Sequence, residues 1–184
     1  MSNTNFLKKL LLLVLFALTV TNGQAQRVAL KTNPLYWMTL SPNIGLEFRL
    51  SQHFTLNMDA AFNPFKINDK LQTRFVGVAP EVRYWFVGRP QAKHFIGVMG
   101  LGSSYSFILK NNLHEGGALG AGLTYGYSFV LSTRWSLETT VGTGVLSINE
   151  KKYRKGEDIP GNSNRSKVMF APLKIGVSFV YLLK

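Results

Sequence analysis

Three patterns in the sequence predict its fold. Apolar residues recur at every second position, most segments with this alternation run nine residues or longer, and short connections alternate with long ones. Together they predict an all-β chain: an eight-stranded antiparallel up-and-down transmembrane β-barrel behind an N-terminal signal peptide. The chain has 184 residues, 46% of them hydrophobic. Beyond the N-terminus no stretch is apolar for the roughly 20 residues that a helical span needs.

Residues 1–25 read as the signal peptide. Lys8 and Lys9 make a positive start, Leu10 to Leu18 are nine apolar residues in a row, and Gly23-Gln24-Ala25 puts small residues where a signal peptidase cuts. Cleavage is expected between Ala25 and Gln26. Residues 26–184 then form one barrel domain, with no internal boundary.

The strands follow in order. Val28 to Tyr36 is the first and the least regular. In the second, Ile44, Leu46, Phe48 and Leu50 alternate with Asn43, Gly45, Glu47 and Arg49. In the third, Phe54, Leu56, Met58, Ala60 and Phe62 alternate with Thr55, Asn57, Asp59, Ala61 and Asn63. In the fourth, Val76, Val78, Val82, Tyr84 and Phe86 oppose Gly77, Ala79, Glu81, Arg83 and Trp85, and Pro80 reads as a bulge or local bend. His94 to Leu109 is the glycine-containing fifth strand. Leu119 to Leu131 and Trp135 to Val145 are the sixth and seventh. In the last, Met169, Ala171, Leu173, Ile175, Val177, Phe179 and Tyr181 oppose Lys174, Gly176 and Ser178.

Ser51 to His53, Gly88 to Lys93 and Leu131 to Arg134 are the short connections. Lys66 to Thr73, Lys110 to Gly117 and Asn149 to Lys167 are the long ones, and Met38 to Pro42 is a short exception among them. Aromatics at strand ends fit two interfacial girdles: Tyr36, Trp37, Phe54, Phe62, Phe65, Trp85, Phe86, Phe95, Phe107, Trp135, Phe179 and Tyr181.

If the apolar face meets lipid, the polar face points inward. Alternation then places Lys31, Glu47, Arg49, Asp59, Glu81, Arg83, Glu138 and Lys174 inside, four cations with four anions. An eight-stranded barrel is just wide enough for side chains to fill, so these charges are expected to pair and plug it. Gly97, Gly100, Gly102, Gly120, Gly122, Gly126, Gly142 and Gly144, in neighbouring strands, let the sheet bend and leave room for long interior side chains.

The charges and the missing cysteines exclude several classes. The chain carries +12, and +10 remains once Lys8 and Lys9 are removed, but export argues against nucleic acid. Outer-membrane lipid and lipopolysaccharide are the expected partners, with the basic loop from Glu150 to Lys167 as one contact. Without cysteine there is no lipid anchor at the cleavage site, no disulfide frame and no thiol nucleophile. His53, His94 and His114 have no serine or acid spaced to form a catalytic set, so neither catalysis nor a cofactor or metal is expected.

Several stretches carry a family resemblance: Ala29 to Tyr36, Ser41 to Glu47, Asn63-Pro64-Phe65, Pro80 to Trp85 and Gly176 to Lys184. Across nearly the whole mature chain the sequence resembles a family of small outer-membrane β-barrel proteins of unknown function from anaerobic Gram-negative bacteria. Some members are linked to fimbrial gene clusters. The resemblance implies an OmpA-like or OmpX-like barrel with a structural or surface-interaction role, touching surface polymers, fimbrial proteins or a host. It implies no catalytic or binding residues. Lys184 departs from the terminal aromatic usual in such barrels. Two alternatives stand beside it: a secreted lipocalin-like barrel with the apolar residues inside around a ligand, and a lipid-modifying outer-membrane enzyme.

Overall fold

The computed structural model describes residues 28–38, 41–63, 66–68, 71–109, 112–154 and 165–183. The expected signal peptide, with Ala25 and Gln26, lies outside these residues. So do Pro64, Phe65, Lys184 and the loop residues 155–164.

The described chain is all-β apart from one helical turn. Its strands are β1 (Val28–Thr32), β2 (Asn43–Arg49), β3 (Phe54–Asn63), β4 (Lys66–Asn68), β5 (Leu71–Trp85), β6 (Lys93–Leu109), β7 (Asn112–Val130), β8 (Trp135–Arg154) and β9 (Arg165–Leu182). Every pairing is antiparallel, and each long strand pairs with its neighbours in sequence. β3 pairs with β5, and β9 returns to β1, so eight strands close into a ring. The three-residue β4 pairs with the start of β5, in line with β3. Closure removes the free edge over Phe179–Leu182, the stretch of β9 that β1 covers, in a chain that has no disulfides.

The ring is flush at one end and uneven at the other. At the flush end Phe54 faces Tyr84, Trp85 faces Phe95, Val130 faces Ser136 and Ala29 faces Leu182. Two of the turns here are built alike. In Leu50 to Phe54 the Ser51 hydroxyl accepts from the backbone N–H of His53 and Phe54; in Leu131 to Trp135 the Ser132 hydroxyl accepts from Arg134 and Trp135. At the other end β6 and β7 keep pairing to Leu109 and Asn112, and β8 and β9 to Glu150 and Arg165. Much of what reads as long loop from Lys110 to Gly117 and beyond Asn149 is therefore strand. β5 to β9 have 15 to 20 residues each, whereas β1, β2 and β3 have 5, 7 and 10. The barrel has one tall wall and one short wall.

The first strand is shorter than the alternation predicts. It stops at Thr32, and Pro34–Met38 is a helical turn, α1. Proline cannot donate to a ladder but suits the first position of a helix. Asn33 caps the turn, its Oδ1 accepting from the Leu35 N–H at 3.0 Å.

Pro80 does not make a bulge. The β5–β6 ladder loses its pairs at Ala79 and Pro80, but the register is the same on both sides, from Val78↔Gly102 to Glu81↔Met99. The missing N–H removes a bond without inserting a residue. The irregularity lies in β9, beside Pro172. Gly142 faces Lys174 but Thr143 faces Pro172, so Leu173 is the extra residue of a bulge. The bulge inverts the expected faces of the N-terminal half of β9. Phe170 pairs with outward Val145, and Ala171 with Gly144, so Val168 and Phe170 point outward while Met169, Ala171 and Leu173 do not.

The molecule is inverted relative to a water-soluble domain. Among the described residues, seven hydrophobic residues are buried but thirteen polar or charged ones are. Leu46, Met58, Val78, Val98, Leu123, Val141 and Ile175 stand exposed on the outer face. A lipocalin-like barrel would place these residues inside, and the fold does the reverse.

Candidate functional site

Arg83 is the centre of the barrel interior. Its Nη1 donates to Glu138 Oε1 at 3.0 Å and to Glu47 Oε2 at 3.2 Å, and its Nη2 to Glu81 Oε2 at 2.8 Å. Lys31 Nζ binds Glu138 Oε2 at 2.7 Å and also pairs with Glu47. Lys174 Nζ bridges Asp59 Oδ2 at 2.6 Å and Glu81 Oε2 at 2.7 Å. These charges sit on β1, β2, β3, β5, β8 and β9, strands brought together only by closure of the ring. Glu47, Glu81 and Arg83 are at most 1% exposed, so the cross-section is filled at this level.

Uncharged residues complete the lattice, and sequence reading did not single them out. Thr55 donates to Glu47 at 2.6 Å, Thr124 to Glu81 at 2.6 Å and Thr140 to Glu138 at 3.2 Å. Asn57 donates to Asp59 at 2.8 Å. Their signal was the inward parity they share with the charges. Asn57 Oδ1 and Arg83 Nε are buried with no hydrogen-bond partner.

Trp85 and Phe95 are not girdle residues. Both are fully buried inside the barrel. The Trp85 indole donates to Thr55 Oγ1 at 3.0 Å, and the Phe95 ring lies 4.4 Å from the Arg83 guanidinium carbon. Packing an aromatic face on the cation leaves its N–H groups for the carboxylates. Phe95 reaches over Gly126, where a Cβ would collide with its ring and lie 2.6 Å from the Thr139 carbonyl oxygen. The outward aromatics at the flush end are Phe54, Tyr84, Phe86, Tyr125, Tyr127, Phe129, Trp135 and Tyr181, several in ring-to-ring contact. Trp37 and Phe62 also stand exposed. The side chain of Phe107 lies outside the described residues, as does Phe65.

Arg49 does not join the interior lattice. It has inward parity but ends β2 at the flush mouth, where its Nε donates to the Ser51 carbonyl at 3.1 Å. The expected balance of four and four thus becomes three cations, Lys31, Arg83 and Lys174, with four carboxylates. His53 Nδ1 lies 2.8 Å from the Trp85 carbonyl oxygen, and His94 Nδ1 2.6 Å from the Tyr125 hydroxyl. The His114 side chain lies outside the described residues. Near Asp59, Met99, Leu101 and Lys174 there is a cavity of about 60 Å³. The arrangement is chemically a cross-link: paired charges, held by hydroxyls and aromatic rings, tying the walls of the barrel together.

No match was found among curated proteins or among solved structures. One family model, described as a protein of unknown function (DUF3575), matches residues 10–183. That match spans nearly the whole chain, which therefore belongs to the DUF3575 family.

Proposed function

We propose that this chain is an exported outer-membrane β-barrel with a structural and surface-interaction role, in which the charge lattice holds the barrel and the tall wall presents its far end to the cell exterior. The observation that carries this reading is the inversion of faces: a closed ring with an apolar outer band and a charged, filled interior. In water that band would be a large unprotected patch; in lipid it is the required surface. β5 to β9 exceed the roughly 9–11 residues that a tilted strand needs to cross a bilayer, and the excess lies opposite the short turns. Outer-membrane barrels place short turns in the periplasm and longer segments outside. Lipid and lipopolysaccharide are then the natural contacts of the outer face, and surface or fimbrial proteins those of the tall wall.

The test is electrophoretic mobility of the membrane fraction with and without boiling. We expect the unboiled protein to migrate differently from the boiled one, and to stay with the membrane through an alkaline wash. A protein that washes free and shows no shift would overturn the reading.

A further inference from the structure

The flush mouth of the barrel holds a second arrangement of charge, opposite in character to the interior. A concavity of about 620 Å³ opens there, lined by Arg49, Arg89 and Arg134, with Gln91 among its other residues. That size is within the range of small-molecule sites, about 300–1,000 Å³. In the interior lattice Lys31, Arg83 and Lys174 each bind carboxylates. At the mouth no described acidic residue pairs with any of the three arginines. Arg49 donates only to the Ser51 carbonyl, and Arg134 to the Tyr181 hydroxyl at 3.4 Å.

The loop between β5 and β6 holds this mouth in shape. Pro90, Gln91 and Ala92 are buried, folded into the end of the barrel. Gln91 has a φ of +61°, a left-handed conformation that a non-glycine residue adopts only when its surroundings hold it there. Its carbonyl accepts from the hydroxyls of Ser128 at 2.8 Å and Ser136 at 3.4 Å. Its side-chain Nε2 is buried with no hydrogen-bond partner. A fixed loop beside three cations is a preorganised arrangement. Guanidinium groups offer planar pairs of N–H donors that match the oxygens of phosphate or carboxylate.

We propose that the short-turn mouth of the barrel binds a phosphate-type oxyanion on Arg49, Arg89 and Arg134. Two sources share that chemistry: a free phosphate compound and a lipid headgroup. Val180 and Leu182 in the wall give an acyl chain apolar surface to rest on. The site follows from the arginines and the loop; its test rests on the proposed barrel, whose failure shows as a parent chain without a heat shift, apart from any loss of binding.

The test is calorimetric titration of the purified chain, folded in an uncharged maltoside detergent and checked by its heat shift. The probes are inorganic phosphate and dihexanoyl phosphatidic acid. We expect saturable binding of one phosphate group per chain, weakened about tenfold or more in R49Q/R89Q/R134Q. The charge-matched K66Q/K70Q/R74Q, in the stretch of β4 to β5 that pairs away from the mouth, should bind as the parent does. Should the triple variant lose its heat shift, R89Q alone serves, since Arg89 is exposed and bears on no interior pair. Tighter binding of the lipid probe identifies a headgroup, and equal binding a soluble phosphate; either supports the site. No saturable binding of either probe, or equal weakening in the charge-matched control, overturns it.

Discussion

Arg83 touches three carboxylates at once, and this sets the energetic rank of the interior residues. Removing it leaves buried negative charge without a partner, a loss of about 3–5 kcal/mol. R83Q should therefore lower the urea midpoint of the detergent-folded protein sharply. E138Q should cost less. The lattice holds four carboxylates against three cations, and Arg83 and Lys31 both keep Glu47 when Glu138 is neutral. An E138Q midpoint as low as that of R83Q would contradict this charge count. Gly126 is set by sterics alone, because Phe95 and the Thr139 carbonyl occupy the place of its Cβ. G126V should cost about 1–3 kcal/mol through overpacking, read in the same unfolding experiment. Inward parity made the lattice charges legible in the sequence. The same parity set Trp85 on the face of Glu81 and Arg83, but its place at a strand end reads equally as girdle, and nothing local marked Phe95 as interior.

At the scale of the strand, two prolines behave differently. Pro80 interrupts a ladder whose register is unbroken, so P80V can supply the missing N–H without moving any residue. We expect P80V to unfold at no lower a urea concentration than the parent. Pro172 lies beside the Leu173 bulge, which makes Ile175 and Phe170 face the same way although they are five positions apart. The chain has no cysteine, so single-cysteine spin labels can map this. Labels at Phe170 and Ile175 should both be accessible to lipid-dissolved oxygen, and one at Met169 much less so. Equal accessibility at Met169 and Phe170 would mean that the bulge is absent. A period of two cannot reveal such a bulge, because the alternation on either side of it looks intact.

For the whole molecule, the contrast between a tall and a short wall is the main feature. The lattice ties the short strands β1, β2 and β3 to β5, β8 and β9 below the level where the tall wall rises above them. The barrel should therefore not need the upper ends of β8 and β9. Deleting 152–167 should leave the heat-dependent shift in mobility unchanged, and loss of the shift would mean that the tall wall is part of the folding unit.

The sequence by itself determined the all-β class, the eight strands of the ring, which connections are short, and which face of most strands is charged. These follow from side-chain period and turn composition, both local properties. Only the tertiary structure decided where β1 gives way to a helical turn, where β9 slips by one residue, how far β5 to β9 rise, and which charges meet. Partners such as Lys31 and Glu138 are 107 residues apart. Arg49 and Arg83 share inward parity, but one ends at the mouth and the other sits in the lattice. Height along the barrel depends on register between strands, and closure of the ring fixes that register.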